Sequence, residues 1–455
     1  MRLTMSITSE VITACTLILL SLFGCEGESS QREKIAGEVS AGEVSAGEMS
    51  AGEMSAGEVS AGEVSAGVVS AGEMSAGETS AGETSAGESA GVEAGVMSAG
   101  EQMGGTQTSS LNSAVDAAVE DFLNANTALE GAAVIIVHGE RGVLHRRAYG
   151  AFDEERVYFV ASSSKMVAAG IINHLHDQGV MDMYAPIVES VDWGRAHPEI
   201  QPVHLISNSS GLPGLDSMTA GRGHICQFFS RGSLQECART IFEAAPDGGD
   251  TIVPPDTEFR YGGGQWQVAG GIAERVSGRS WNQLFEEVYA TPCGLTSSGF
   301  SHQGQFAQEG FSYPTGFGAD INNLAPTENP WIEGGLYTTI DDYGKLLMMH
   351  LRGGRCGETT VHPAETIRRM HADRILEEYM GDTGNAILGG YGMGWWVDRS
   401  REGVVHDPGA YGSWAYIDHT RNLAVFTVLE ATILPEGFGL HNQLRPVIER
   451  GVDDL

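Results

Sequence analysis

Lysine is the charged residue this 455-residue chain has least of. Lys34, Lys165 and Lys345 are the only lysines among 26 basic residues, which face 60 acidic ones for a net charge of −34. So acidic a chain is a poor partner for nucleic acid and repels other polyanions. Cysteine is scarce as well, with six in all, and Cys15 and Cys25 lie near the start. The remaining four, Cys226, Cys237, Cys293 and Cys356, lack metal-ligand spacing. His174 and His176 are two apart on a helical stretch and face different sides. No metal and no organic cofactor is therefore implied. A long hydrophobic run is also missing, since Val11 to Phe23 is too short to span a bilayer as a typical helix.

That short apolar run reads instead as an export leader over residues 1–25, with Arg2 before it and Leu22-Phe23-Gly24-Cys25 after it. The last four residues resemble a lipobox, which makes Cys25 the expected lipidation site. Residues 26–109 form a second part. Between 36 and 89 the sequence repeats Ala-Gly-Glu-Val/Met/Thr-Ser every five residues. Glycine recurs too often for a helix, and apolar content is too low for a core. The tract reads as a disordered acidic tether. The expected location is the bacterial cell envelope, with the membrane contacted through the lipid anchor only. In that setting thiols pair, and the short separation within a Gly-rich insertion favours Cys226 with Cys237.

Residues 110–455 are long enough for one large core or two packed subdomains. Within them, Phe159 to Gly170 carries Ser162-Ser163-Ser164-Lys165 at the start of an apolar helix. Residues three apart share a helix face, so the Lys165 ammonium reaches the Ser162 hydroxyl. The free N–H groups and positive dipole end of a helix N-terminus suit a nucleophile that must hold an oxyanion beside it. This chain uses Arg nearly everywhere a cation suffices. A Lys kept at 165 fits a role Arg cannot fill, because burial can draw a lysine pKa down from about 10.4 and make it a base.

Periodicity gives the surrounding elements. Asn112 to Asn126 is an amphipathic helix, and Ala132 to His138 and Val143 to Tyr149 are strands joined by a turn. Helices follow from Ser162 to about Asp177, from Ser233 to Ala244 with Glu236 at capping-box spacing, from Gln265 to about Val276, and from Asp341 to Leu351. Tyr391 to Val397, Gly403 to His406, Ser413 to Asp418 and Leu423 to Glu430 are successive strands, and Phe438 to Arg450 closes the chain as a helix. Strands at both ends with helices between predict an α+β fold: an antiparallel sheet formed from both chain ends, flanked by helices, with an inserted mainly helical region.

These pieces in this order resemble the serine β-lactamase and penicillin-binding-protein superfamily, nearest its class C β-lactamase-related branch, over about residues 112–452. Phe159 to Lys165 is similar to the family's first motif. Ser207-Asn208-Ser209-Ser210-Gly211-Leu212-Pro213 resembles a Thr-His-x-Ser-Gly-Leu-Pro landmark with Asn208 in place of His. Glu333-Gly334-Gly335-Leu336-Tyr337-Thr338-Thr339 resembles a Gly-Gly-Leu-x-Ser-Thr segment. Tyr261-Gly262-Gly263 stands where the family has Tyr-x-Asn, so the resemblance makes Tyr261 a base or proton shuttle and leaves the Asn without a counterpart. Beside an ammonium its phenol is expected to ionise more readily.

The third family motif, Lys-Thr-Gly or His-x-Gly, falls on Val405-His406-Asp407-Pro408-Gly409-Ala410 in one of two frames. One uses His406 and loses the Gly. The other keeps Gly409, makes Asp407 the polar residue and lets Ala410 donate an oxyanion N–H, which Pro408 cannot. The second is preferred, and it turns His406 to the other strand face. The resemblance then implies a serine hydrolase that cleaves a small ester, amide or peptide through a Ser162 acyl-enzyme, with Lys165 and Tyr261 moving the proton. A β-lactamase or D,D-peptidase acting on cell-wall peptides and a non-catalytic penicillin-binding-like protein are the alternatives. The oligomeric state is not legible.

Overall fold

The computed structural model describes residues 107–215, 222–244, 251–302, 313–385, 388–431 and 435–455. The leader, Cys25 and nearly all of the repeat tract lie outside the described residues, as does part of the Gly-rich insertion.

Helix α1 (Gln107–Ala125) leads into a hairpin of β1 (Gly131–His138) and β2 (Gly142–Gly150). The chain's other end supplies β3 (Gly389–Tyr391), β4 (Trp396–Asp398), β5 (Val404–Pro408), β6 (Trp414–Asp418) and β7 (Leu423–Val428). Together they form one seven-stranded antiparallel sheet in the order β2-β1-β7-β6-β5-β4-β3. The two ends meet where β1 pairs with β7, from Ala133 opposite Val428 to His138 opposite Leu423.

Alternation along these strands divides the core. Ala132, Val134 and Ile136 of β1 join Leu423 and Val425 of β7 against α1 and the last helix, α5 (Pro435–Asp453). Ala133, Ile135 and Val137, with Ala424, Phe426 and Val428, face the opposite way into the larger core. That core is filled by α2 (Lys165–Asp177), α3 (Gly264–Ser277) and α4 (Ile340–Leu351). The side-chain period of two sends successive residues into different layers. The fold is therefore α+β, with the helical region inserted between the two halves of the sheet.

Several ends are set by the residues expected to set them. The Ser233 hydroxyl accepts from the Glu236 N–H at the start of the 234–243 helix. One stretch differs from its reading as a single strand. Tyr391 to Val397 is a hairpin, with β3 ending at Tyr391 and β4 starting at Trp396. Gly394 makes the reversal at φ +78°, where a side chain would meet the Lys165 carbonyl at 2.5 Å. The apolar run hid that turn. Two disulfides are present, Cys226–Cys237 and Cys293–Cys356, with Cα separations of 5.6 and 5.0 Å.

Candidate active site

Ser162 enters the site from a strained turn. After the short strand Tyr158–Phe159, Ala161 sits at φ +44°, a conformation L residues seldom adopt. Residues Ala161–Ser164 then make one tight helical turn before α2 begins at Lys165. The three serines of that turn differ in their partners. Ser163 Oγ donates to the Asp407 carbonyl at 2.7 Å and lies 2.9 Å from Ser413 Oγ. Ser164 Oγ donates to the Ala161 carbonyl at 2.6 Å and accepts from the Leu336 N–H at 3.0 Å. Both tie the turn to its neighbours. Ser162 Oγ instead receives Lys165 Nζ at 3.1 Å.

Lys165 is buried and held on three sides. Its ammonium also donates to the Glu333 carbonyl at 3.2 Å and pairs with Glu333 Oε2 at 3.0 Å. It lies 4.8 Å from the centre of the Tyr261 ring and 5.7 Å from that of Trp266. Burial alone pulls its pKa down, but Glu333, Tyr261 and Asp407 pull it up, and the net direction is upward. The downward pull expected of a buried lysine is thus overridden by a carboxylate partner. Tyr261 departs from expectation in the same way. Burial pushes its phenol up, and the opposing influences of Lys165 and a hydrogen bond with Ser162 do not reverse it. The resting site therefore holds an ammonium and a neutral phenol around Ser162.

The loop carrying Tyr261 is pinned by Asn208, itself at φ +57°. Its Oδ1 accepts from the Gly262 N–H at 3.0 Å, Gln265 Nε2 at 3.2 Å and the Trp266 indole at 2.9 Å. Behind Tyr261 stand Trp396, with ring centres 5.0 Å apart, and Tyr391 at 6.2 Å. Three further aromatic side chains have other partners: Trp395 packs on His350 and His371, Trp414 stacks on His441, and Tyr411 packs on Tyr313.

Strand β5 separates the two third-motif candidates by parity. His406 faces the α5 layer, where its Nδ1 accepts from the Trp414 indole at 3.2 Å and its ring meets that of His441. Asp407 faces the nucleophile turn but lies beneath it, 2 % exposed, with Oδ2 3.0 Å from the Tyr343 hydroxyl. That hydroxyl also donates to the Ser163 carbonyl at 3.0 Å. Burial pushes the Asp407 carboxyl well above its usual range, against the pull of Tyr343 and Lys165. Asp407 is therefore not an exposed anion at the mouth of the site. Gly409 presses the strand end against the turn. A Cβ on it would fall 2.1 Å from the Val160 carbonyl and 2.2 Å from Ser413 Oγ. Among the described residues neither the Ser162 N–H nor the Ala410 N–H is engaged by a backbone carbonyl.

Glu333 is the site residue that no sequence motif marks, because it stands at the start of the Gly-Gly-Leu landmark without being part of it. The available signal was an acidic residue directly after Trp331-Ile332 in an apolar stretch. Among the described residues no cluster of His, Cys, Asp and Glu is arranged to hold a metal ion.

The fold has counterparts among known proteins. The β-lactamase family model matches residues 114–445. Penicillin-binding protein 4 of Amycolatopsis lactamdurans is 24% identical over 324 residues, covering 65% of this chain and 79% of that protein. A crystal structure from Bacteroides dorei, assigned as a β-lactamase, superposes with a TM-score of 0.58 at 23% identity, covering 75% of this chain and 98% of that one. EstCE1, a hydrolase with promiscuous acyltransferase activity, gives a TM-score of 0.57 at 17% identity, covering 75% and 99%.

Proposed function

For this chain, which belongs to the β-lactamase family, we propose an exported serine hydrolase that transfers an acyl group from a small ester to Ser162 and then to water. One observation carries the reading. Of the three serines in the turn, Ser162 is the one whose hydroxyl meets the Lys165 ammonium, at 3.1 Å, while Ser163 and Ser164 are tied to neighbouring segments.

The competent form is the one in which the Lys165–Tyr261 pair has lost one proton. Ser162 Oγ attacks the ester carbonyl while its own proton passes to that pair. The tetrahedral oxyanion lies between the N–H groups of Ser162 and Ala410. The intermediate expels the alcohol, which takes the proton from the pair. Water then attacks the acyl-enzyme, gives a proton to the same groups, and releases the carboxylic acid as Ser162 recovers its hydrogen.

An ester is preferred over a β-lactam because Gly263 offers no side-chain amide to clamp a substrate amide. A neutral hydrogen bond of that kind contributes about 0.5–1.5 kcal/mol, or up to about tenfold in rate. Asp407 neither holds nor repels a substrate carboxylate. The likeness to a penicillin-binding protein supports a second reading, a β-lactam or cell-wall peptide as acyl donor. The test is kcat/KM for p-nitrophenyl acetate and butyrate against nitrocefin, with Ser162→Ala as blank. The esters are expected to be the better substrates. Faster nitrocefin turnover would make the second reading primary.

A further inference from the structure

Tyr261-Gly262-Gly263 has no side chain beyond its tyrosine, yet the space beside Lys165 is not empty. Glu333 Oε2 lies there. The same oxygen pairs with Lys165 Nζ at 3.0 Å and accepts from the Gly263 N–H at 3.0 Å. Both charged side chains are buried, 1 % and 3 % exposed. The glycines fit this carboxylate. Gly262 and Gly263 stand at φ +67° and +83°, and a Cβ on Gly262 would fall 2.7 Å from Glu333 Oε2. A side chain at 262 would crowd this carboxylate, and the positive φ at both positions favours glycine. Glu333 Oε1 is also buried and has no partner, so the carboxylate is held through one oxygen by Lys165 and the loop.

We infer that Glu333 is a positioning residue of the active site, which bridges Lys165 and the Gly263 N–H and thereby sets the protonation of the lysine and the position of Tyr261. This rests on the reading of Ser162 as an acylated nucleophile. The carboxylate acts on two groups at once. It neutralises the buried ammonium, and through Gly263 it fixes the loop that presents the phenol. The other groups facing Lys165 are Ser162, Tyr261 and Asp407. Asp407 lies below the turn with its Oδ2 on the Tyr343 hydroxyl, whereas Glu333 Oε2 meets the ammonium directly at 3.0 Å, so Glu333 is the counter-ion. A buried carboxylate–lysine pair at this distance resists loss of the lysine proton. Removing the acid leaves burial unopposed, and burial lowers a lysine pKa.

Lysine scarcity makes the test direct. The full chain has three lysines, so protein carrying lysine isotope-labelled at Cε gives few NMR signals, and Lys165→Met assigns the one of interest. In the wild type, Lys165 should titrate above the ordinary lysine value of about 10.4. In Glu333→Gln its midpoint should fall by about one to three pH units, with Glu333→Asp keeping most of the wild-type value. The pH profile of kcat/KM for p-nitrophenyl acetate should move to lower pH in step. A role confined to stability would lower the rate at every pH without moving the profile. A wild-type Lys165 that titrates well below 10, or a midpoint unchanged by Glu333→Gln, overturns the inference. The wild-type titration decides the matter even if Glu333→Gln does not fold. A shifted midpoint in protein that never acylates Ser162 would support Glu333 as the counter-ion and count against the hydrolase reading.

Discussion

At the scale of single residues, the site depends on which charges are opposed. Lys165 is legible because it is one of only three lysines in a chain that otherwise uses Arg for its cations. Its protonation is not, because the partner that decides it, Glu333, is 168 positions away in sequence. Tyr261 was legible as a candidate and misjudged in its ionisation, since burial outweighs the nearby ammonium. Both groups are held protonated above their ordinary values, so the competent form grows as pH rises. Lys165→Arg is expected to lower kcat/KM by about 10²–10⁴-fold, because Arg keeps the charge and cannot release the proton. Esterase kinetics check this, with circular dichroism confirming the fold. Near-native rates in that variant would reduce Lys165 to an electrostatic partner.

At the scale of elements, the nucleophile turn and the end of β5 act as one unit. Ser163 Oγ bonds the Asp407 carbonyl, Ser413 Oγ bonds the Val160 carbonyl at 2.9 Å, and Gly409 closes the gap between them. Gly409→Ala is therefore expected to push the strand end away from the turn. The cost is about 1–3 kcal/mol, as for overpacking elsewhere, and the rate of Ser162 labelling should fall more steeply than the melting temperature. A variant that labels at the native rate would show that Ala410 need not approach the turn. Long elements were readable from period and caps, including the sheet built from both ends. Strand parity alone separates His406 from Asp407. The hairpin at 391–398 was not readable, because the apolar run continues through its turn and the reversal depends on Gly394 meeting α2. Nor does spacing reveal that Asp407 lies under the turn, since Tyr343 comes from α4.

At the scale of the whole molecule, the family domain spans residues 114–445, and the stretch read as an export leader and the acidic tract precede it in sequence. No helix among the described residues is long and apolar enough to cross a membrane. If the Leu22–Cys25 stretch is a lipobox, Cys25→Ser should release the protein from membranes or block its processing, as fractionation of the native host would show. Unchanged processing and membrane retention in that variant would remove the anchor. Catalysis by the domain is expected to survive that substitution, because among the described residues the side chains placed around the nucleophile all lie at or after Ser162. The central claim is most directly tested by one measurement, intact-protein and peptide mass spectrometry after treatment with a fluorophosphonate probe. One adduct per chain, on the peptide containing Ser162 and lost in Ser162→Ala, is the expected result. An adduct on another residue, or none on protein that hydrolyses esters, would contradict it.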